Sequence, residues 1–349
     1  MNVGAAPLRT VSATAPTRIC DNGGWTDTWF AGHGNVFNIA VYPNVNVDIK
    51  VHPIDALPKR VMLNSTNVAD PHGFESMNHL QQHPLLQATI DEIGVPEDLA
   101  LEINVSSEAP MGSSTGTSAS TTVALIGALH ELTHKRLTRD EVAQTAHRIE
   151  VDRLGLESGV QDQLCAAYGG INYIEVSAYP RATVFPLLVS SNTWSELDRR
   201  LILLYLGQPH SSSSVHERVI AEAATAGEIS PQLEALRQAA GRSREAVLEG
   251  DLEALGRAMI ENTDAQTDLH PSLVGSKART AIAVASSEGA RGWKVNGAGG
   301  DGGSLTILAG TDPNDKKELI CALLEADSRF EVIPTRLSHH GLQVSETRE

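Results

Sequence analysis

The sequence has few cysteines, and those it has follow no ligand spacing. Only Cys20, Cys165 and Cys321 occur among 349 residues, and none of them lies in a CxxC or Cys/His pattern. This scatter argues against a disulfide framework and against a structural zinc site. We therefore expect the three cysteines to be packing residues without chemistry of their own.

The sequence also has fewer basic than acidic residues. Lysine and arginine number 27 against 43 acidic residues, which gives a formal net charge of −16 at pH 7. Such a field repels nucleic acid and anionic lipid, and the sequence concentrates no basic patch that would reverse it. We therefore expect no nucleic-acid partner. A polyanionic substrate would have to be held by backbone amides, a few basic side chains or a metal ion.

Long apolar runs are missing too. The longest runs, such as Val123 to Leu129, are far shorter than the roughly 20 residues that span a bilayer. Residues 1–15 lack the apolar stretch of a secretory signal, so the sequence predicts a cytoplasmic protein without a membrane segment. A hydrophobic fraction of 41% and a mean hydropathy of −0.15 are typical of a globular chain, whose 349 residues suggest about two domains. The sequence does not decide whether the protein forms a homodimer.

Hydrophobic periodicity predicts mixed strands and helices in the first half of the chain. Apolar residues alternate from Val45 to Val51 and from Leu101 to Val105, which predicts two half-buried antiparallel strands. Helical spacing from Val123 to His130 predicts a buried helix. Two capping boxes, at residues 138–141 and 158–161, predict two further helices, the second of which carries Asp162 in its first turn.

The second half begins after a polar stretch. Residues 190–196 contain the sequence Ser-Ser-Asn-Thr-Trp-Ser, which favours a domain boundary. A buried strand is predicted at residues 201–206, largely helical structure over residues 215–287, and strands at residues 293–295 and 305–308.

A stretch of small residues separates the strand at residues 101–105 from the buried helix. Residues 110–120 combine glycines, which permit close backbone approach, with hydroxyls and the N-terminus of a helix, where free N–H groups favour an anion. The stretch is compatible with a phosphate-binding loop, although it matches neither the Walker A nor the Rossmann pattern. An ordinary flexible loop is the alternative.

A second glycine cluster follows Lys294. Five glycines fall within residues 297–303, and so many are hard to justify in a hairpin because each one adds unfolded-state entropy. The spacing therefore favours close approach to a ligand, with a tight turn between two strands as the alternative.

Charged residues near the other glycines complete the candidate set. Arg18 precedes the sequence Asn-Gly-Gly-Trp-Thr-Asp at residues 22–27, and Glu150 precedes Asp162 by twelve positions. Taken singly, Asp27 could close an Asx turn, and Asp162 could serve only the dipole of its helix.

In this order, the four segments resemble the GHMP kinase superfamily over nearly the whole chain. Residues 15–27 look like its N-terminal sugar-kinase motif, and residues 110–119 look like its phosphate loop. Residues 159–170 resemble the segment with the catalytic aspartate, and residues 297–303 resemble the C-terminal glycine motif. The resemblance implies an α+β fold of two domains. Residues 1–192 would be ribosomal protein S5 domain 2-like, and residues 193–349 would form a ferredoxin-like α/β sandwich.

The resemblance also implies roles for individual residues. Asp162 would be the general base at a sugar hydroxyl, with Arg18 beside it, and Ser118 and Glu150 would hold Mg²⁺. The residues that would bind the phosphates of ATP are Pro110, Gly112, Ser113, Ser114, Thr115, Gly116, Thr117 and Ser118. Those that would bind the substrate are Gly24, Trp25, Thr26, Asp27, His210, Gly299 and Gly300.

The motif Gly-Gly-Trp-Thr-Asp is most similar to the branch of heptose 7-phosphate kinases and L-fucokinases. This implies an ATP-dependent kinase acting on the anomeric C1 hydroxyl, with D-glycero-D-manno-heptose 7-phosphate as the expected substrate and His210 near its phosphate. The alternatives are a free-sugar 1-kinase of the L-fucokinase, arabinokinase or galactokinase kind, a non-catalytic binding relative, and a diphosphate decarboxylase of the same superfamily.

Two motifs depart from the family pattern. The phosphate loop carries Ser114, Thr115 and Thr117 where Gly, Leu and Ser are usual, and Asp301 interrupts the C-terminal glycines. Neither departure removes a catalytic group.

Overall fold

A computed structural model of the chain describes residues 6–66, 83–110, 112–133, 136–208, 219 and 230–348. Within these ranges, the strands are β1 (Arg9–Asn22), β2 (Gly34–Pro53), β3 (Val61–Thr66), β4 (Leu99–Ser107), β5 (Ile171–Ala178), β6 (Arg181–Pro186), β7 (Leu201–Tyr205), β8 (Gly292–Val295), β9 (Ser304–Leu308), β10 (Glu331–Ile333), β11 (Arg336–Leu337) and β12 (Gln343–Thr347). The helices are α1 (Pro84–Ile93), α2 (Thr117–Leu132), α3 (Arg139–Arg148), α4 (Gln161–Tyr168), α5 (Ser191–Arg200), α6 (Pro231–Glu249), α7 (Leu252–Leu269), α8 (Ser276–Ser287) and α9 (Asp315–Ala326).

The first sheet is built around the long strand β2. Its order is β12-β1-β2-β4-β3, while β5 and β11 pair with other parts of β2, and β6 pairs with β5. The predicted strands at residues 45–51 and 101–105 are confirmed as antiparallel neighbours, with Val47 opposite Val105. Apolar residues of this sheet and of α2, α3 and α4 form one buried cluster, because the sheet and each of these helices contribute an apolar face to it.

The second sheet is smaller and entirely antiparallel, in the order β10-β7-β9-β8. Both faces of β7 are buried, and its side chains alternate between them. Ile202 and Leu204 pack against α8 and α9, whereas Leu201 and Leu203 join a cluster with α6 and α7. That second cluster also contains Phe37 of the first sheet. The two sheets therefore share a core.

The two predicted capping boxes have different outcomes. The box before α3 is confirmed, since Thr138 accepts the Glu141 N–H and the Glu141 side chain accepts the Thr138 N–H. The box at residues 158–161 is wrong. Val160 is the residue before α4, and no side chain of its own segment caps the helix.

The last strands return from the second sheet to the first. β11 pairs with β2 and β12 pairs with β1, both antiparallel. Between them the chain lies on the end of α4, where Gly170 donates its N–H to Ser338 O at 2.8 Å. We propose a division near residue 192, in the first turn of α5, with the last residues crossing back to the N-terminal unit.

The structure contains no helix that is both long and apolar enough to cross a membrane, within the ranges given above.

Replacing Gly341 with Ala should destabilise the protein, because this glycine lies directly against α4. A Cβ at Gly341 would lie 2.2 Å from Ala167 O, which is backbone and cannot move aside. Gly241→Ala is the matched control, since a Cβ there, inside α6, would meet nothing within 4 Å. We expect the Gly341 variant to have a lower Tm, and the Gly241 variant to gain roughly 0.5–1 kcal/mol from the lower entropy of its unfolded chain. Thermal unfolding followed by circular dichroism measures both, and equal shifts in Tm would contradict the packing argument.

Candidate active site

The side chain of Arg18 joins three of the sequence motifs. Arg18 lies on β1, is 4% exposed, and donates its backbone N–H to Thr115 O at 2.9 Å. Its Nε and Nη2 donate to the two carboxylate oxygens of Asp162 at 2.8 and 3.1 Å, and its Nη1 donates to Ser114 O. Asp162 is 26% exposed, so its carboxylate is reachable from solvent while its cationic partner is buried. Burial opposes the Arg18 cation, but Asp162 and Asp21 raise the pKa of Arg18 above its usual value.

The loop at residues 110–118 ends where α2 begins. Gly116 precedes the helix with φ 74°, and no side chain of the described residues caps the helix, so its first N–H groups are available to an anion. A Cβ at Gly116 would lie 3.1 Å from Asp162 Oδ2, which explains why the loop needs glycine there. Ser118 is exposed in the first turn.

Two of the residues that depart from the family pattern hold the loop together. The Thr115 hydroxyl is buried and lies 2.9 Å from Ser113 Oγ and 3.3 Å from Thr117 Oγ1. Hydroxyl pairs of this kind fix the loop through its side chains as well as its backbone. Ser113 O in turn accepts the Ser304 hydroxyl at 2.5 Å, which joins the loop to β9.

Asp27 supplies the cap that α4 lacks. Its Oδ2 accepts the Gln161 N–H at 3.0 Å, directly before Asp162. A Cβ at Gly159 would lie 2.1 Å from the same oxygen, so glycine makes room for the carboxylate. Asp27 is 1% exposed, and this burial raises its pKa to about 6, helped by the charge of Asp162 and opposed by the Gln161 N–H.

Glu150 lies on a π-helical turn, Ile149–Arg153, between α3 and α4. Its Oε2 accepts from Ser158 Oγ at 2.9 Å and from Gln163 Nε2 at 2.6 Å. Its Oε1 is buried and has no hydrogen-bond partner in the described part of the chain. Burial, together with the charge of Asp162, raises the pKa of Glu150 to about 7. A buried carboxylate oxygen without a donor suits a hard cation, and the Ser118 hydroxyl is a second oxygen ligand of the kind that Mg²⁺ takes.

Protein ligands alone do not complete such a site. Within the described ranges, no three histidine, cysteine or carboxylate side chains are grouped in a metal-binding arrangement. The oxygen chemistry of Glu150 and Ser118 therefore fits a cation that takes its remaining ligands from phosphate oxygens and water, as Mg²⁺ does beside a nucleotide. That the two residues hold one cation stays a prediction.

The second glycine cluster packs on the same centre. Gly297 donates its N–H to Asp21 Oδ2 at 3.0 Å, and a Cβ there would lie 3.2 Å from Arg18 Nη2. Gly299 and Gly300 are buried, and Gly300 donates its N–H to Leu273 O at 3.0 Å. Gly297 is thus needed for close packing, but the groups packed against it belong to the protein and not to a ligand. The assignment of Gly299 and Gly300 to the substrate stays a prediction.

The turn at residues 22–27 is largely buried. Trp25 has φ 79°, an uncommon conformation for a large side chain, and is 5% exposed against Phe30 at a ring distance of 6.1 Å. The Thr26 hydroxyl donates to Gly23 O at 2.7 Å, and a Cβ at Gly24 would lie 3.2 Å from Gln161 Nε2. Their role toward a substrate stays a prediction, and His210 lies outside the described residues.

Several residues of this centre were not found from the sequence. They are Asp21, Ser158, Gln163, Lys294 and Asn296. Ser158 was assigned to a helix cap, but its hydroxyl donates to Glu150 instead. Lys294 carried the one available signal, since a lysine inside a short apolar strand requires a buried partner.

Comparisons with known proteins show which kinases this chain resembles. Residues 80–170 match the family described as GHMP kinases N terminal domain. A D-glycero-alpha-D-manno-heptose 7-phosphate kinase from Campylobacter jejuni is 27% identical over 225 residues, which are 64% of this chain and 65% of that enzyme. A bifunctional fucokinase/GDP-fucose pyrophosphorylase from Arabidopsis thaliana is 26% identical over 347 residues, which are 93% of this chain and 32% of that protein. This chain thus spans less than two thirds of the length of either relative.

The fold has solved counterparts. The crystal structure of a D-glycero-D-manno-heptose 1-phosphate kinase from Bacteriodes thetaiotaomicron aligns with a TM-score of 0.73 at 22% identity, covering 97% of this chain and 100% of that one. At this identity the likeness establishes the shared two-domain α+β fold, as expected from the sequence motifs.

Replacing Asp27 with Asn should change the pH dependence of stability. The pKa of Asp27 is about 6 in the folded protein, whereas in the unfolded chain it has its ordinary value of 3.8. Between these values the folded state holds more protons, so the stability of the wild type falls as pH rises. Asn has no such penalty, and the variant should gain up to about 3 kcal/mol relative to wild type between pH 4 and 7.

Urea unfolding at several pH values measures this difference. Asp91→Asn, on the exposed side of α1, is the control and should follow the wild type at every pH. A difference between the Asp27 variant and the wild type that stays constant from pH 4 to 7 would contradict the assigned pKa.

Proposed function

We propose that this chain, which belongs to the GHMP kinase superfamily, is an ATP-dependent sugar kinase that phosphorylates the anomeric C1 hydroxyl of a sugar or sugar phosphate. One observation carries the proposal: the Arg18–Asp162 pair lies against the loop that opens α2, with a Cβ at Gly116 only 3.1 Å from Asp162 Oδ2. A proton acceptor therefore lies next to a helix N-terminus that can bind a phosphate. Phosphoryl transfer needs this arrangement, because the acceptor oxygen and the phosphate must meet in line.

Asp162 acts as the general base in this mechanism. Its carboxylate takes the proton of the acceptor hydroxyl, while the hydroxyl oxygen bonds to the γ-phosphorus and the bond to the bridging oxygen of ADP breaks. Arg18 orients this carboxylate through two hydrogen bonds, at 2.8 and 3.1 Å. The Asp27 cap fixes the first turn of α4, so that the base is held from both sides.

The nucleotide is bound at the start of α2. The amides of residues 112–118 bind the β- and γ-phosphates, which compensates for the net negative charge of the chain. Glu150 and Ser118 would hold Mg²⁺, whose charge would offset the negative charge of the transferred group. A bound cation would give the buried Oε1 of Glu150 a partner and would favour the ionised form of this carboxylate.

For the substrate we propose D-glycero-D-manno-heptose 7-phosphate. The motif at residues 23–27 and the similarity to the Campylobacter enzyme, which acts on a heptose 7-phosphate by its name, support this choice. The second candidate is a free-sugar 1-kinase, because the alignment with the Arabidopsis fucokinase covers 93% of this chain. A non-catalytic binding protein is disfavoured because Arg18, Glu150 and Asp162 are all in place.

Replacing Asp162 with Asn tests the base. The amide keeps the shape and can still face Arg18, but it accepts no proton, so we expect kcat to fall by about a hundredfold or more with the fold unchanged. A coupled assay of ADP release measures the rate, and circular dichroism checks the fold. Asp91→Asn is the control for removing an aspartate and should keep wild-type kcat. A folded Asp162 variant with more than about a tenth of wild-type kcat would refute the assignment.

A panel of acceptors tests the substrate. If the site takes a heptose 7-phosphate, kcat/KM for this compound should exceed that for free sugars such as L-fucose by at least about tenfold, because charge-assisted hydrogen bonds exceed neutral ones. NMR of the product locates the new phosphate, which we expect on C1. His210→Ala should reduce the preference. Equal or better turnover of a free sugar would favour the second candidate.

A further inference from the structure

A buried ion pair lies directly behind Arg18. Lys294 on β8 is fully buried and its Nζ lies 3.2 Å from Asp21 Oδ1. Asp21 follows Arg18 by three positions on β1 and its Oδ2 lies 4.0 Å from Arg18 Nη2. Neither residue reaches the surface, since Asp21 is 1% exposed. The mechanism described above uses neither of them.

The four charges form a row in which the signs alternate. From inside to outside it runs Lys294, Asp21, Arg18 and Asp162. Other titratable groups facing the row are Cys20, Asp27, Glu150 and Cys165. Because an isolated buried charge is costly, each member depends on its neighbour for compensation.

Asp21 is a second partner for the Arg18 guanidinium. Burial would raise the pKa of Asp21, but Lys294 and Arg18 together hold it below its usual value, so the carboxylate is ionised. Without Lys294, this carboxylate would have Arg18 as its nearest cation, and the guanidinium would be drawn away from Asp162. Without Asp21, Lys294 and Arg18 would repel each other with nothing between them.

The same carboxylate reaches the second glycine cluster. Asp21 accepts the Gly297 N–H at 3.0 Å, and the neighbouring Cys20 N–H donates to Asn296 Oδ1 at 3.2 Å. These two hydrogen bonds join β1, which carries Arg18, to the turn after β8. The position of Arg18 thus depends on the second sheet as well as on its own strand.

We propose that Asp21 and Lys294 are positioning residues for phosphoryl transfer, whose ion pair holds the Arg18 guanidinium on Asp162. This inference rests on the proposed function. A purely structural pair is the alternative, and it makes a different prediction. A buried ion pair often contributes no more stability than an uncharged pair of the same shape, so a structural role would tolerate its neutral replacement and show only changes in Tm.

Three variants separate the two roles. Lys294→Met and Asp21→Asn each leave one charge of the pair uncompensated, and the double variant removes both charges with little change of shape. We expect each single variant to lower kcat by about tenfold or more, with KM for sugar and for ATP within about threefold of wild type. The double variant should recover kcat to within about threefold of wild type, because neither charge of the pair then remains to attract or repel the Arg18 guanidinium.

The matched control is Lys316→Met. This lysine is partly buried on α9 and donates to Leu201 O at 2.7 Å, on strand β7, which β9 separates from the strand of Lys294. Its loss should lower Tm without changing kcat of the folded protein. Rates are referred to the folded fraction from circular dichroism.

A spectroscopic readout follows the position of Arg18 without any turnover. The Arg18 Nε–H is buried and bonded to Asp162, so it should give a slowly exchanging ¹H–¹⁵N signal, assigned by its loss in Arg18→Lys. The signal should shift or broaden in each single variant and return in the double variant.

The outcomes are distinct. Single variants with wild-type kcat, or a double variant at least as impaired as the worse single one, would overturn the positioning role. So would an Arg18 signal that is unchanged in both single variants. An inactive wild type whose Arg18 signal responds as expected would instead reject the proposed kinase activity and retain the effect of the ion pair on Arg18.

Discussion

The bidentate pair between Arg18 and Asp162 is the interaction on which the other parts of the centre depend. It connects a strand of the first sheet to the first turn of α4, and through Ser114 O it also fixes the loop before α2. A guanidinium can serve this purpose because its planar group offers five donors at fixed angles, where a lysine would offer a point charge. The surrounding glycines at 116 and 297 allow backbone to approach the pair within contact distance.

Around that pair the protein retains carboxylates that burial makes unfavourable. Asp27 and Glu150 both have raised pKa values, near 6 and 7, and neither has a cationic partner within the described residues that would lower them. Each does something that an apolar residue could not: Asp27 caps the helix of the base, and Glu150 presents an unsatisfied oxygen. Stability is therefore lower than the packing alone would permit, as is common where a site is organised for binding.

Local patterns in the sequence predicted much of the fold and the motifs, but few of the contacts between them. The strands at 45–51 and 101–105 and the capping box at residue 138 were found because their signals lie within a few residues. The cap of α4 comes from Asp27, 134 positions before Gln161, so the local rule assigned it to Ser158. The Asp21–Lys294 pair joins two sheets and leaves no periodic signal at all. Family resemblance placed Arg18 beside Asp162, which spacing alone could not do.

The return of β11 and β12 to the first sheet has a consequence for synthesis of the chain. The segment between these strands covers the end of α4, where Leu342 donates its N–H to Ala167 O and Gly341 fits against the backbone. Residues 336–347 leave the ribosome after the other strands of the N-terminal unit, which cannot complete its sheet until these residues have emerged. The helix that bears Asp162 acquires this support only at that point. A chain truncated before residue 336 would lack that support however well its first 200 residues fold.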